Sequence, residues 1–307
     1  MANNQNQAIR RYEAEFKELL EAVVETQAVY RDFFVGGTIE ALDGVQHNEK
    51  AFSVKTSDIP VIVGNYDTDP NVAFGSGTAN SSRFGEMTEV IYQDEDVDYR
   101  WDWAIHEGID RAKVNQDFNT AIADRLALQA EAKTDEFNKE HSWFISQSAS
   151  EAFELEEATT KAVNSVFNKM RSHFVNNKVR RNLTKVAKVH PDLYNFLIDN
   201  ELATTAKHSS ANVDAGTIYQ YKGFILEEVA ETDLQEGEIA YAYATGIAKA
   251  FTGINTARSF EAHNFDGVAL QGHGKAGEYI PEQNKVAVVK VTGNLSDNAG
   301  NDGDDTP

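Results

Sequence analysis

The sequence predicts an α+β fold, with long helices in its first half and short strands in most of its second half. Residues 115–182 hold two segments whose apolar residues recur at helical spacing. From about residue 183 the chain breaks into short β-branched runs separated by polar turns. Residues 44–105 add two strand-like runs joined by a long polar loop. At 307 residues the chain is long enough for two joined domains, or for one large domain with excursions.

The N-terminal segment is predicted to be an arm that docks through an amphipathic helix. Over residues 8–30 its apolar side chains lie at the spacing of one helical face, namely Ile9, Phe16, Leu19, Leu20, Val23 and Val24. The residues before them are polar, as in a frayed terminus.

Residues 44–105 are predicted to form an extended β arm that needs support from another subunit. A first strand-like run covers residues 51–63, and 15 of the 22 residues from Gly64 to Gly85 are turn formers. In the return run the large residues alternate with small or polar ones, as Val97, Tyr99, Trp101, Trp103 and Ile105 show. Because a two-stranded ribbon is marginally stable in water, we expect a neighbouring subunit to stabilise this arm.

Two helices are predicted after the arm. Asn115 or Asp117 caps the first, which runs to about Gln147 and would be roughly 50 Å long. The capping-box spacing of Ser148 and Glu151 marks the start of the second. Its buried side is formed by Val163, Val166, Phe167, Met170 and Phe174.

The remaining chain is predicted to hold strands, one further helix and a terminal tail. Pro191 suits the first turn of a helix that runs to Ile198. Candidate strands cover residues 185–189, 217–229, 238–244, 247–254, 257–262, 268–271 and 285–291. The stretch from Asn294 to Pro307 is rich in Asp, Asn and Gly and is expected to be disordered.

The composition excludes several classes of site and partner. The chain has no cysteine, which excludes a disulfide framework, a thiolate zinc site and a cysteine nucleophile. Its formal charge of −21 argues against a protein that coats nucleic acid, because phosphate binding draws on surplus Lys and Arg. No apolar run approaches the ~18 residues of a membrane span, and the first residues lack a signal-peptide pattern. We therefore expect no membrane partner and no export.

No catalytic, cofactor-binding or metal-binding residue is nominated from the sequence. Residues 272–277 match G-x-G-x-x-G, but the helix that a dinucleotide site requires does not follow, and a turn between strands is the favoured interpretation. His106 and Glu107 lack the second histidine of a zinc-protease motif, since residue 110 is Asp. The run Asp94–Asp98 could gather a divalent cation, although a solvated charge run is favoured.

The acidic chain has one dense basic cluster, which consists of Lys178, Arg180, Arg181, Lys185 and Lys188. Pairing with carboxylates of the same or a neighbouring subunit is favoured over contact with enclosed DNA. Arg83, in the loop of the arm, could reach a neighbour's acidic residue or lie exposed in solvent.

Five short phrases occur in a set order along the chain: Leu42–Gln46, His106–Gly108, Val189–Tyr194, Tyr221–Phe224 and Phe265–Leu270. With the N-terminal arm, the glycine-rich hairpin, the long helix and the late strand, they resemble the major capsid protein of tailed double-stranded DNA bacteriophages. Among these proteins the chain most resembles those of siphophages that infect Gram-positive bacteria. The resemblance covers residues 1–292 and includes no catalytic signature.

The resemblance implies a tailed-phage major capsid fold with an N-arm, an extended β-hairpin loop, a long spine helix, and peripheral and axial domains. The implied boundaries are 1–46 for the N-terminal arm with its amphipathic helix, 47–105 for the extended β-hairpin loop and its base, 106–182 for the spine helix and peripheral domain, 183–260 for the axial α/β domain, 261–293 for the strands that return to the peripheral domain, and 294–307 for a disordered acidic tail.

The resemblance also implies a structural protein without enzymatic activity or cofactor. It would self-assemble as hexamers and pentamers into an icosahedral or prolate head around the double-stranded DNA genome. The genome would be enclosed without sequence-specific binding. Separate scaffolding, portal and decoration proteins are further implied partners. Such a subunit is assembled in the host cytoplasm and resides in the virion.

The sequence is also compatible with two alternative functions. One is the shell of a nanocompartment, which encloses a cargo enzyme rather than DNA. The other is a β-rich carbohydrate-binding or hydrolytic protein, which Trp101 and Trp103 would suit if they lay exposed in a groove.

The residues expected at the interface between subunits lie in the arm, at its base and in the basic cluster. They are Tyr66, Phe74, Arg83, Phe84, Trp101, Trp103, Arg180 and Arg181. Some members of the resembled family join subunits covalently through a Lys of the extended loop, whereas residues 56–98 of this chain contain no Lys. We therefore expect boiled, denatured particles to give one monomer band near 34.0 kDa rather than a ladder of multimers.

Overall fold

The computed structural model describes residues 28–42, 50–57, 59, 61–69, 72–74, 82–114, 118–200, 204–205 and 219–293. The chain divides into two units, the body (Met1–Gln46 with Tyr99–Pro307) and the arm (His47–Asp98). The tail predicted over residues 294–307 lies outside the described residues. So does all but the end of the helix predicted over residues 8–30.

The described part of the chain contains three α-helices and thirteen strands. The helices are α1 (Phe118–Ser148), α2 (Thr160–Asn176) and α3 (Pro191–Asp199). The strands are β1 (Phe34–Ala41), β2 (Lys50–Thr56), β3 (Gln93–Asp98), β4 (Trp101–Asp110), β5 (Glu151–Leu155), β6 (Lys185–Val189), β7 (Thr204–Thr205), β8 (Tyr219–Tyr221), β9 (Phe224–Glu228), β10 (Glu238–Ala244), β11 (Ala248–Glu261), β12 (Gly267–Tyr279) and β13 (Val288–Gly293). None of these helices is long and apolar enough to cross a membrane.

The body contains a seven-stranded sheet with the strand order β5-β13-β10-β6-β9-β8-β7. Every residue of the interior strand β10 is buried, as expected where both faces of a sheet are covered. On one face the hydroxyl of Tyr241 lies 3.2 Å from that of Ser142 in α1. On the other face Phe174 of α2 packs on Phe224 of β9, with ring centroids 5.5 Å apart. The sheet thus lies between the end of α1 and α2.

A four-stranded sheet, ordered β1-β11-β12-β4, packs on α1 through one face. Residues of β4 alternate between half-buried and exposed positions from Trp101 to Gly108. Near the end of β4, Ile109 packs with Ile122 and Leu126 of α1 and with Leu270 of β12. The alternation that the sequence predicted for the return run is therefore confirmed in β4.

The described residues of the arm form one two-stranded antiparallel sheet, in which β2 pairs with β3. The predicted first strand is wrong beyond Thr56, because residues 61–63 belong to no strand and are exposed. Pro60 has no backbone N–H to donate to a sheet, which favours an end of the strand before it. The predicted return run is divided, since β3 ends at Asp98 in the arm and β4 begins at Trp101 in the body.

The start of the second helix differs from its prediction. Glu151, expected in the first turn of that helix, begins strand β5 instead. Helix α2 begins later, after Thr159, whose hydroxyl accepts a hydrogen bond from the backbone N–H of Ala162. Serine, threonine and aspartate all favour N-caps, so a capping pattern marks a candidate start rather than a unique one.

Two predictions for the last strands are also wrong. The strands predicted over residues 247–254 and 257–262 form one strand, β11, with an irregular register near its middle. The motif at residues 272–277 lies inside β12 and not in a turn, because β12 pairs with β11 on one side and with β4 on the other. Its glycines are therefore strand residues.

Candidate assembly surface

The arm exposes most of the large apolar side chains that the described residues leave in solvent. Ten of these fourteen side chains lie in the arm: Val61, Ile62, Val63, Tyr66, Phe74, Phe84, Met87, Val90, Ile91 and Tyr92. By contrast, Val97 is the one buried apolar residue among the described residues of the arm. Exposed apolar surface of this extent marks a site of protein–protein contact.

The loop of the arm folds back so that its two halves touch. The backbone N–H of Asp67 donates to the carbonyl of Arg83 (2.9 Å), and the rings of Tyr66 and Phe84 lie 5.0 Å apart. The guanidinium of Arg83 lies 5.4 Å from the ring centre of Phe74. Four residues predicted at the interface, Tyr66, Phe74, Arg83 and Phe84, therefore lie together in the arm, and their contact with another subunit stays a prediction.

Arg100, two residues after the end of the arm, belongs to a group of charged side chains in the body. Its Nε donates to Glu278 (2.9 Å), and its terminal nitrogens donate to the carboxylate (2.5 Å) and backbone carbonyl (3.0 Å) of Glu140. The Nδ1 atom of His141 lies 2.9 Å from the second oxygen of Glu278. The indole N–H of Trp101 donates to that same oxygen over 3.2 Å.

Glu278 is the centre of this group, and its side chain is wholly buried. Burial raises the pKa of the carboxyl, but the hydrogen bonds and charges of His141 and Arg100 outweigh that effect, so its pKa lies below the usual range. The buried charge is thus held by two partners from other segments of the body. This group was not predictable from the sequence, because Arg100 and Glu278 lie 178 residues apart.

No protein-family model and no curated protein match the chain. Solved structures are similar over most of its length. The capsid of cyanophage P-SCSP1u has a TM-score of 0.59 and 10% identity, covering 88% of this chain and 90% of that one. The capsid of Ralstonia phage GP4 has a TM-score of 0.59 and 9% identity, covering 89% and 93%. A virus-like particle from Pyrococcus furiosus has a TM-score of 0.52 and 11% identity, covering 91% and 99%.

The chain has the fold of phage capsid proteins. The predicted α+β class and the resemblance to phage capsid proteins are thereby confirmed for the fold. The narrower likeness to siphophages of Gram-positive hosts stays a prediction, as do the boundaries of the peripheral and axial domains.

The two tryptophans of β4 are half-buried within this capsid fold and pack on α1. The ring of Trp101 lies 4.7 Å from that of Phe137, and the ammonium of Lys133 lies 4.0 Å from the ring centre of Trp103. Both contacts are internal to the chain, so an interface role for either tryptophan stays a prediction. A carbohydrate-binding groove would need these rings exposed, which the burial of β4 argues against.

Trp103 explains two of the glycines that match the nucleotide-binding motif. Its indole lies against the neighbouring strand β12, where Gly274 is its cross-strand partner. A Cβ atom at Gly274 would lie 2.5 Å from the indole, and one at Gly272 would lie 3.0 Å from it. The glycines thus provide space for an aromatic ring.

Replacing Gly274 by alanine is expected to destabilise the body by about 1–3 kcal/mol, because the added methyl overlaps the indole of Trp103. The matched control is Gly64→Ala, since a Cβ there meets no atom within 4 Å. We expect this control to change the free energy of unfolding by less than about 0.5 kcal/mol. Denaturant unfolding of both variants checks the prediction, and equal stabilities would show that the indole is not confined by Gly274.

The predicted basic cluster consists of the buried Lys188, the half-buried Lys185 and three exposed residues, Lys178, Arg180 and Arg181. Lys188 is buried and forms ion pairs with Asp32 (3.2 Å) and Glu227. Arg180 and Arg181 are exposed and have no carboxylate within ion-pair distance among the described residues. Among the described residues these arginines form no ion pair, and their role at an interface stays a prediction.

The acidic run of the arm is partly neutralised across its own sheet. Asp96 pairs with Lys50 and accepts a hydrogen bond from Ser53 (2.6 Å), and Asp94 lies 3.8 Å from Lys55. Within the described ranges, no group of three or more acidic or histidine side chains is arranged to hold a metal ion. This geometry agrees with a charge run on the surface of the ribbon.

Proposed function

We propose that this chain is the major subunit of a phage head, a closed icosahedral or prolate shell that encloses a double-stranded DNA genome. The proposal depends on the arm of a chain that has the capsid fold. The described residues of this arm expose ten large apolar side chains and bury one. A monomer would leave this surface in water, whereas a shell gives every arm a neighbour. No reaction is proposed for the chain.

The proposed mechanism is geometric. Each arm lies over the adjacent subunit of a hexamer or pentamer, and closed rotational symmetry repeats that contact around the ring. Obligate interfaces commonly bury more than ~2,000 Å² in total, and the exposed apolar side chains of the arm are proposed to contribute to that area. In this proposal α1 is the spine helix of the shell wall, and residues 183–260 form the axial domain near the centre of the ring.

Scaffolding, portal and decoration proteins are proposed as separate partners, and the mature subunit is proposed to reside in the virion after assembly in the host cytoplasm. A nanocompartment shell is the second candidate. It is favoured by the similarity to the Pyrococcus furiosus virus-like particle, which covers 99% of that chain. In that case the particle would enclose protein cargo instead of a genome.

The contents of purified particles distinguish the two candidates. Particles from infected or induced host cells are treated with nuclease, sedimented and disrupted, and their DNA and protein are measured. A phage head retains nuclease-protected genomic DNA. Particles that hold a second protein and no DNA would favour the nanocompartment, and a protein that sediments as a monomer would contradict both.

A further inference from the structure

The longest acid-free stretch of the chain carries a surface rich in cations that have no ion-pair partner among the described residues. Residues 158–191 contain eight Lys or Arg and no Asp or Glu, in a chain of net charge −21. At the C-terminal end of α2 and in the turn after it, four of these cations are exposed and have no ion-pair partner among the described residues. These four cations are Arg171, Lys178, Arg180 and Arg181. Together with the exposed Val175, they form a surface that we call the basic face.

Two backbone hydrogen bonds form the turn of the basic face. The N–H of Lys178 donates to the carbonyl of Val175, and the N–H of Val179 donates to that of Phe174, both over 3.0 Å. Lys178 itself has a φ of 56°, the left-handed conformation that ends a helix in this motif. Lys178, Arg180 and Arg181 therefore lie in or next to a hydrogen-bonded turn, beside the wholly buried ring of Phe174.

The arm has the complementary composition. Residues 47–98 contain ten acidic and three basic residues. Within them residues 84–92, which we call the arm strip, are all exposed and contain Glu86 and Glu89 but no Lys or Arg. The two carboxylates alternate with exposed apolar side chains such as Phe84 and Met87. The basic face, with its cations and the exposed Val175, is complementary to this pattern of acidic and apolar groups.

We propose that the basic face of one subunit binds the arm strip of a second copy of this chain. The inference rests on the proposed function, in which the arm lies over a neighbour, and it names the surface that receives it. Copies with a charge of −21 repel one another, so a contact between them needs cations placed at the interface. Arginine suits this role because its guanidinium can hold a carboxylate through two hydrogen bonds.

Charge reversal tests the proposal in the full chain. Arg180→Glu with Arg181→Glu is expected to lower the yield of particles about tenfold, since two attractive contacts become repulsive. Adding Glu86→Lys and Glu89→Lys is expected to restore the yield. The control pair Lys113→Glu and Lys222→Glu makes the same change in net charge at other exposed or half-buried positions and should assemble normally. Thermal unfolding of each variant establishes that the body is folded.

Three outcomes would overturn the proposal. The first is normal assembly of the arginine variant, and the second is a loss of assembly that the arm substitutions do not restore. The third is normal particles that no longer retain nuclease-protected DNA, which would make the genome the partner of the basic face.

A binding measurement separates this inference from the proposed function. A labelled peptide of residues 84–92 should bind the full chain and lose about tenfold in affinity when Arg180 and Arg181 are reversed. This result is expected even if the wild-type chain formed no shell, in which case only the proposed function would fail. A peptide that binds both proteins equally would overturn the inference while leaving the shell proposal intact.

Discussion

A variant that lacks Gly64–Gly85 is expected to stay folded and to form no closed particles. The body has its own core, built around the seven-stranded sheet, in which β10 is buried throughout. The described residues of the arm bury one large apolar side chain and expose ten. Deleting Gly64–Gly85 removes three of these exposed side chains, Tyr66, Phe74 and Phe84, but leaves the buried Val97 in place. Sedimentation and electron microscopy measure assembly, and thermal unfolding measures the stability of the monomer.

Point substitutions provide a matched control for the deletion. Phe84→Ser with Met87→Ser removes exposed apolar surface from the arm and is expected to reduce particle yield strongly. Leu128→Ser removes an exposed apolar side chain from α1 in the body and is expected to leave the yield unchanged. Normal particles from the deletion variant would show that the arm does not hold the shell together.

Replacing Glu278 by glutamine is expected to cost about 3–5 kcal/mol of folding stability, the usual result of removing one partner from a buried ion pair. The substitution keeps the shape of the side chain but leaves Arg100 and His141 without the carboxylate that they contact at 2.9 Å. The control is Glu282→Gln. It removes the carboxylate of an ion pair with Lys285, and that carboxylate is 80% exposed. A pair of that kind contributes less than about 1 kcal/mol.

The effect of Glu278→Gln is expected to depend on pH. The pKa of Glu278 is lowered in the folded protein, so its stabilising contribution is complete above the unfolded value of about 4.3 and is lost as pH falls through the folded pKa. The difference in unfolding free energy between wild type and variant should therefore be large at neutral pH and shrink in acid. A difference that does not change with pH would show that the lost stability is not that of a charge.

The sequence predicts a local feature well where the periodicity of a single strand or helix determines it. The alternation around Trp101 and Trp103 predicted which face of β4 is buried, because a strand has a period of two. The same alternation begins at Val97, so it could not show that the chain passes from the arm into the body after Asp98. That division depends on strand pairing, because β3 pairs with β2 of the arm and β4 pairs with β12 of the body.

Features that depend on contacts between distant segments were not predictable from local patterns. Gly272 and Gly274 match a nucleotide-binding motif in the sequence. In the structure they leave space for the ring of Trp103, about 170 positions away, because they carry no side chain. Lys188 belongs to a basic cluster in the sequence but is buried beside Asp32. Pairings of this kind require the three-dimensional arrangement, since an isolated charge or glycine has many candidate partners along the chain.

We propose above all that the arm joins neighbouring subunits of a closed shell. A reconstruction of purified particles by electron cryomicroscopy tests it most directly. We expect closed shells of hexamers and pentamers in which residues 84–92 of each arm contact the adjacent subunit. Shells in which every arm contacts only its own subunit, or a purified chain that forms no shell, would contradict the account.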